Sequence, residues 1–356
     1  WYNNSLIRDP MNYDVYNKKG ITLHALKEDE QAVECYQKAI EFSKKDERLH
    51  SPFLNAYDNL GTALTHLGRY QEAIANYDEA ISREPRYVPS YIGKGLTLSQ
   101  SGQEIQAIEC YDKALELDPN DADIYLNKGN SLIQLKEYQR AIECFDRAIA
   151  INPNHIHAIN SKGLALSGLE KEREAIKCYE QAIKLDPLYV YGYYNKGNSL
   201  MKLKEYEQAI PLYDQAIQLD PYQVSTHFYK GVALERLQRY QQAIESFDTV
   251  IALLPTSAKA YYHKGSVLQD LKRHEEAIEC YDKVTELNPT DAEVYVRKGN
   301  SYFELGEYQL AIKCFDKALE LIPDYTEARE QKKLALDKLG QKEEVDIQNA
   351  KDQTEQ

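Results

Sequence analysis

The sequence lacks an apolar run long enough to cross a membrane, since no stretch approaches the roughly 18 apolar residues that suggest a transmembrane helix. It also lacks a basic excess, because 43 lysines and arginines stand against 57 acidic residues and the net charge is −14. General binding to nucleic-acid phosphates requires a basic stripe. We therefore expect neither nucleic acid nor a membrane as partner. The first residues, WYNNSLIRDP, show no basic region followed by an apolar core, so no secretory signal is expected.

Closely spaced cysteine pairs are absent too. The six cysteines occupy one position of the internal repeat described below: Cys35, Cys110, Cys144, Cys178, Cys280 and Cys314. Thiols a whole repeat apart are too distant for a disulfide, and no CxxC or Cys/His spacing typical of zinc occurs. Free thiols of this kind favour a reducing, cytoplasmic location.

Catalytic motifs are not found. The sequence contains no HExxH, no GxSxG and no glycine-rich phosphate loop. Its histidines are scattered at positions 24, 50, 66, 155, 157, 227, 263 and 274. We therefore predict a protein that is not an enzyme and that has no cofactor and no metal site.

What the sequence does have is a repeat with a period of 34 residues. A glycine recurs nine times, at positions 20, 61, 95, 129, 163, 197, 231, 265 and 299. Twelve residues after each glycine stands an alanine, as at Ala141, and four residues later an aromatic residue, as at Phe145. Prolines end most of the repeats, where a fixed φ and a missing N–H stop a helix. Periodicity of this length predicts a repeat array with one continuous core.

These small and aromatic positions resemble the tetratricopeptide repeat family, and the resemblance covers residues 13–325. It implies an all-α solenoid of nine antiparallel helix pairs, whose helices are called A and B, stacked into a right-handed superhelix. It also implies a concave face that is lined by A helices and holds a peptide or a partner's helix.

The N-terminal residues 1–12 carry part of the same pattern. Pro10 lies ten residues before Gly20, the interval that separates Pro119 from Gly129. The segment is interpreted as the tail of a preceding B helix or as an N-terminal cap. Because no initiator methionine is present, the first interpretation would make the chain a fragment of a longer array.

Two further segments depart from the repeat. Between Gly20 and Gly61 the spacing grows to 41 residues, which predicts a seven-residue insertion near 45–53. After the last repeat we expect a C-terminal capping helix at 326–339, because terminal repeats need one polar face. Residues 340–356 have few apolar side chains and are predicted to be a disordered polar tail.

An aromatic cluster in repeats six to eight is one candidate binding surface. Its members are expected to project from three adjacent A helices: Tyr191, Tyr194, Phe228, Tyr229, Tyr262 and His263. Exposed aromatic residues dominate interface hot spots. The alternative is that some of these rings pack between neighbouring A helices.

Asparagines on the A helices are a second candidate. The members on which we focus are Asn127, Asn130, Asn195 and Asn198. An asparagine amide donates and accepts hydrogen bonds, which suits recognition of an extended main chain. The peptide-binding superhelix of the glycosyltransferase that modifies Ser/Thr with N-acetylglucosamine is similar in this respect. The alternative is that these amides only hydrate the face.

The function that we predict is a protein–protein interaction scaffold that holds a partner peptide or helix in the concave groove. One alternative is a structural subunit of a large cytoplasmic, cytoskeletal or ciliary assembly, with possible self-association. Another is the substrate-recognition region of a larger enzyme such as a glycosyltransferase. The sequence does not identify the partner, because a fold does not fix a function.

Overall fold

The computed structural model describes residues 2–45 and 53–354, with the side chains of residues 3, 4, 8 and 342–354 left out. This part of the chain contains twenty α-helices and no strand. Most of the insertion predicted near 45–53 lies outside the described residues. The chain divides into two compact modules, Trp1–Pro187 and Leu188–Gln356, which we describe separately.

The N-terminal module holds repeats 1 to 5. Its helices are α1 (Tyr2–Arg8), α2 (Tyr13–Ala25), α3 (Asp29–Ser43), α4 (Leu54–His66), α5 (Tyr70–Arg83), α6 (Val88–Gln100), α7 (Glu104–Leu117), α8 (Ala122–Gln134), α9 (Tyr138–Ile151), α10 (Ile156–Gly168) and α11 (Glu172–Leu185). From α2 onward, each even-numbered helix packs against the odd-numbered helix that follows it. The even-numbered helices are therefore the A helices and the odd-numbered ones the B helices.

The C-terminal module holds repeats 6 to 9 and a final helix. Its helices are α12 (Val190–Lys202), α13 (Tyr206–Leu219), α14 (Val224–Arg236), α15 (Tyr240–Leu253), α16 (Ala258–Asp270), α17 (His274–Leu287), α18 (Ala292–Glu304), α19 (Tyr308–Leu321) and α20 (Thr326–Thr354). The A and B helices alternate as in the first module. The predicted all-α repeat solenoid is confirmed.

The recurring glycine lets each A helix approach the aromatic ring of its own B helix. A Cβ placed on Gly129 would lie 2.5 Å from a ring carbon of Phe145, and one on Gly265 would lie 2.8 Å from Tyr281. All nine recurring alanines are fully buried beside these rings, Ala141 among them. In the core of each repeat, the glycine backbone of helix A thus packs directly against the ring of helix B, as the spacing predicts.

The turn from helix A to helix B is equally regular. In every repeat, a residue with positive φ lies just after the end of the A helix. It is a glycine at positions 68, 102 and 306, and Lys, Glu or Gln at positions 27, 136, 170, 204, 238 and 272. In the third repeat, Gly102 N donates to Ser99 O at 2.9 Å and Gln103 N donates to Leu98 O at 2.8 Å. Such paired bonds satisfy the last carbonyls of a helix and reverse the chain within a few residues.

Within each module, the A helices lie on the inner side of the stack. Consecutive A helices contact each other, for example α6 with α8 and α14 with α16. In the described part of either module, no two consecutive B helices are in contact. A stack of helix pairs that lie closer together on the A-helix side than on the B-helix side curves toward the A-helix side. The A-helix face is therefore the inner face of each module.

A lysine and an aspartate link successive repeats on the outer side. In six of the seven links, the lysine that precedes the recurring glycine pairs with the aspartate that follows the ring of the previous repeat, sixteen residues earlier. In the last link, Lys332 of α20 takes the place of that lysine. Seven links are present in the described residues: Lys94–Asp78, Lys128–Asp112, Lys162–Asp146, Lys230–Asp214, Lys264–Asp248, Lys298–Asp282 and Lys332–Asp316. We call this set the Lys–Asp ladder. The joint between repeats 1 and 2 has no such link, because Leu60 and Gln37 occupy the two positions.

The end of the chain differs from the prediction. Helix α20 runs from Thr326 to Thr354 without interruption, through most of the segment 340–356 that the sequence predicts to be disordered. Its first part packs on α19 and α18, where Ala328 and Ala335 are fully buried. The rest contains several Glu, Gln and Lys residues, which favour helix. A low apolar content therefore was not evidence against a helix here.

Candidate functional site

Five of the predicted aromatic side chains form one continuous run of ring contacts on the inner face of the C-terminal module. Tyr194 of α12 lies 6.1 Å from Tyr229 of α14, measured between ring centroids, and Tyr229 lies 5.5 Å from Phe228. Phe228 contacts His263 of α16 at 5.3 Å, and His263 contacts Tyr262 at 5.7 Å. These separations are those of attractive aromatic pairs. We call this set, together with Tyr191, the aromatic strip.

The strip is anchored on the ring at the centre of each repeat. Tyr194 lies 6.5 Å from the buried Tyr213, and Phe228 lies 6.0 Å from the buried Phe247. Both alternatives weighed for these rings therefore apply in part. One side of Tyr194 and Phe228 packs on the core, and the side that remains belongs to the inner face.

The exposed part of the strip lies mainly on two tyrosines. Tyr191 is 55% exposed and Tyr229 is 38% exposed, whereas the other members are half-buried. Tyr191 and Tyr194 are three residues apart on α12, so they lie on the same side of that helix. The Tyr191 ring also lies 5.9 Å from Tyr189. Tyr191 and Tyr229 thus offer the largest apolar area of the strip to a partner.

Polar contacts fix the α16 end of the strip. His263 Nδ1 lies 2.8 Å from Glu235 Oε2, and the Tyr262 hydroxyl donates a hydrogen bond to Glu293. Burial raises the pKa of Tyr262 to about 12, and the negative charge of Glu293 adds to this shift. The phenol therefore stays protonated at neutral pH and keeps donating, so the ring orientation is held by a charge-assisted bond.

A pocket of about 550 Å³ opens beside this end of the strip. Its walls include Phe228, Tyr262 and His263, and its rim carries Lys259, Asp291 and Glu293. Pockets that bind ligands are often walled by apolar and aromatic groups and oriented by a few polar ones. This one can accept an apolar side chain with a polar group at its rim.

The predicted asparagines are not equivalent. In the C-terminal module, Asn195 is only 8% exposed, and Asn198 Oδ1 accepts a hydrogen bond from the Tyr213 hydroxyl at 2.8 Å. Asn195 therefore differs from the expectation of a surface amide, because the packing of the A helices encloses it. In the N-terminal module, Asn127 is half-buried and Asn130 is exposed. Of these four asparagines, Asn127 and Asn130 are the two whose side chains make no hydrogen bond to the described residues.

The Lys–Asp ladder was missed by the sequence interpretation. The signal was present as a Lys-Gly dipeptide in one repeat and an aromatic-Asp dipeptide in the previous one, at a constant separation of sixteen residues. Pairs such as Lys94–Asp78, at 2.6 Å, connect the B helix of one repeat to the A helix of the next. They hold the A helices, and with them the inner face, in register.

Sequence models described as tetratricopeptide repeat or TPR repeat match the chain along most of its length. The matched residues are 13–83, 95–135, 122–155, 156–187, 173–204, 190–223, 224–257, 258–291 and 292–325. The chain belongs to the tetratricopeptide repeat family. Members of this family are generally non-catalytic scaffolds for protein–protein interaction. The match therefore supports a protein–protein interaction scaffold as the general function of this chain.

Solved structures agree with the fold. The crystal structure of the APC/C hetero-tetramer Cut9–Hcn1 is similar at 16% identity and a TM-score of 0.53, over 91% of this chain and 76% of that one. A tetratricopeptide repeat protein from Parabacteroides merdae is similar at 17% identity and a TM-score of 0.50, over 70% of this chain and 98% of that one. Comparison with curated proteins gives no match.

None of the helices in the described residues is both long and apolar enough to span a membrane.

Proposed function

We propose that the aromatic strip binds an apolar segment of a partner protein, so that this tetratricopeptide repeat protein holds a peptide or helix against its inner face. The observation that carries the proposal is the unbroken ring contact across three A helices, from Tyr194 to Tyr262. Rings that are fixed on one side and open on the other lose little conformational entropy on binding. Such groups are the usual hot spots of interfaces.

The pocket at the α16 end supports a specific anchor within that segment. Its aromatic walls suit one apolar side chain of the partner, and its rim carries both a lysine and two carboxylates. Glu293 also lies 3.6 Å from Arg297 and accepts from Tyr262. Asp291 caps α18 by accepting from Glu293 N with one oxygen, so its other oxygen and Lys259 remain to orient a partner. The partner segment is therefore expected to be apolar and not strongly charged of either sign.

The location that we propose is a reducing compartment, the cytoplasm. Five of the six cysteines are buried free thiols. Burial raises the pKa of Cys280 and of Cys314 to about 11. These thiols stay protonated at neutral pH and serve as small packing groups, which is the common use of cysteine where disulfides do not form.

The test uses peptides selected from a random library on the wild-type protein, and compares their Kd values for a Tyr191→Ser/Tyr229→Ser variant. These two tyrosines are chosen because they are the exposed members, whereas Tyr194 or Phe228 would also remove core packing. Loss of hot-spot rings costs about 2 kcal/mol or more, so we expect Kd to rise about 30-fold.

The matched control is Tyr222→Ser. Tyr222 is 78% exposed and lies in the same module, but it sits in the turn between α13 and α14, away from the strip. This variant should keep the wild-type Kd. The proposal fails if the selected peptides bind the double variant and the wild type equally well.

A further inference from the structure

Two histidines and an aspartate come together at the joint between repeats 1 and 2. His24 lies in the last turn of α2, Asp29 begins α3 and His66 ends α4. The ligand atoms of the three side chains all lie within 4.8 Å of one another, and no other group of this kind occurs in the described residues. His24 and His66 are 42 positions apart in sequence, so their proximity is produced by the stacking of the two repeats.

The carboxylate of Asp29 lies between the two imidazoles. One oxygen is hydrogen-bonded to Nδ1 of His24, and the other lies 3.9 Å from Nδ1 of His66. The two rings are 4.7 Å apart between centroids. Each Nδ1 therefore faces one oxygen of the same carboxylate, and the three side chains form one compact group of potential ligands.

This geometry is close to what a zinc ion requires. Zn–N and Zn–O bonds of about 2.0–2.2 Å at tetrahedral angles place two ligand atoms about 3.4 Å apart. The separation between Asp29 and His66 exceeds that value by only a few tenths of an ångström. The contact between His24 and Asp29 is shorter, so a rotation of these side chains would replace their direct hydrogen bond by two bonds to the metal.

The surroundings leave the three groups available to a cation. Asp29 is largely buried, whereas the His66 side chain is 54% exposed, so the group of three side chains is open to solvent on the His66 side. Arg69, the nearby cation on the next turn, is held by two hydrogen bonds to Glu72 at 2.7 and 2.6 Å. A water molecule can occupy a fourth position, as it does in zinc sites with three protein ligands.

Two other repeats carry serine and glutamate at the positions of His24 and Asp29. Ser99 donates to Glu104 at 3.1 Å, and Ser167 donates to Glu172 at 2.9 Å, at the positions that correspond to His24 and Asp29. Each of these pairs bridges helices A and B of one repeat, and Ser99 also accepts from Ser131 of the next repeat at 3.5 Å. In repeat 1 the carboxylate is kept, the serine is replaced by a histidine, and a second histidine is added from the next repeat.

We propose that His24, Asp29 and His66 form a zinc-binding site that joins repeat 1 to repeat 2. This joint has neither residue of the Lys–Asp ladder, because Leu60 and Gln37 replace them, and it contains the widened spacing between Gly20 and Gly61. Zinc bound to α2, α3 and α4 links the two repeats directly. The site is independent of the aromatic strip, which lies in the other module.

The experiment titrates Zn²⁺ into protein that has been treated with chelator and carries no polyhistidine tag. Calorimetry should give one equivalent of bound Zn²⁺, and thermal unfolding should shift upward with Zn²⁺ because an ion that binds only the folded state stabilises it. Co²⁺ in the same site should give the visible absorption bands of a tetrahedral complex.

The deciding variants are His66→Ala and Asp29→Asn, with His157→Ala as the control. Loss of a residue that only hydrogen-bonds to a metal ligand already costs about 10–100-fold in metal affinity, so loss of a ligand itself should weaken binding at least about tenfold. His157 is exposed and lies beside another histidine, with 6.4 Å between their ring centroids, so its loss should leave the affinity unchanged.

Hydrogen exchange gives a second readout, since zinc should slow exchange at the ends of α2 and α4 in the wild type and not in His66→Ala. Because His66 is more than half exposed, its removal should leave the fold intact, which circular dichroism checks. The proposal is overturned if no saturable Zn²⁺ binding occurs, or if His66→Ala binds zinc as tightly as the wild type.

Discussion

At the scale of single residues, the fold depends on the absence of a side chain at the recurring glycine. The space that a Cβ would occupy on Gly129 is filled by the ring of Phe145, which is itself fully buried. A ring in that position cannot move away without disturbing the alanines around it, because interiors are packed at crystal-like density. The glycine is therefore required for packing and not for backbone conformation.

Gly129→Ala should accordingly destabilise the protein, although alanine is the better helix former. Overpacking of a filled core costs about 1–3 kcal/mol, which outweighs the gain of about 0.5–1 kcal/mol from replacing glycine within a helix. Chemical denaturation followed by circular dichroism measures the change in the free energy of unfolding.

Gly340→Ala in α20 is the matched control for that substitution. No atom lies within 4 Å of the Cβ that alanine would add at this position, so only the helix preference acts, and this variant should be as stable as the wild type or slightly more so. Equal effects of the two substitutions would contradict the packing argument.

These residue contacts differ in how far the sequence could predict them. The pairs Gly129–Phe145 and Ala141 with its ring were predictable, because each recurs at one offset in every repeat. The burial of Asn195 was not, since an A-helix position specifies a direction but not how closely the next helix approaches. The contact between His24 and His66 was also unpredictable, because it spans the one irregular spacing in the array.

At the scale of the helix, Pro211 is the irregularity. It is the sixth residue of α13, beyond the first turn, where a proline costs little because the N–H groups have no partner within the helix. At this position it removes the N–H that would bond to Glu207 and its ring presses on that carbonyl. The corresponding residue of α15 is Glu245, and both side chains are exposed.

Pro211→Glu should therefore stabilise the protein, by up to about 3 kcal/mol, because it restores one hydrogen bond of the helix without any change to the core. The reciprocal substitution Glu245→Pro should destabilise it by a similar amount. Thermal unfolding of both variants checks the signs, and a lower melting temperature for Pro211→Glu would show that the helix is adapted to the proline.

At the scale of the whole molecule, each repeat depends on its neighbours alone. Helix α8, for example, contacts α6, α7, α9 and α10 and no other helix in the described residues. Stability in such arrays is approximately a sum of local and nearest-neighbour terms. A local defect should therefore have a local effect.

Hydrogen exchange of Gly129→Ala measures how far such a defect spreads. Exchange should increase in α8 and in the four helices that contact it, and the amides of α16 to α19 should keep their wild-type rates. A uniform increase throughout the chain would show instead that the array opens as a single cooperative body.

The Lys–Asp ladder has a consequence for how such a chain can change length. Every joint with a Lys–Asp pair presents the same two residues, so a 34-residue block that lies between two such joints has ends that match those of its neighbours. Gene duplication or loss of such a block would preserve the electrostatic fit of the joint that it creates. The joint between repeats 1 and 2, which has neither residue of the pair, is a place where a duplicated or transplanted block would find no matching end.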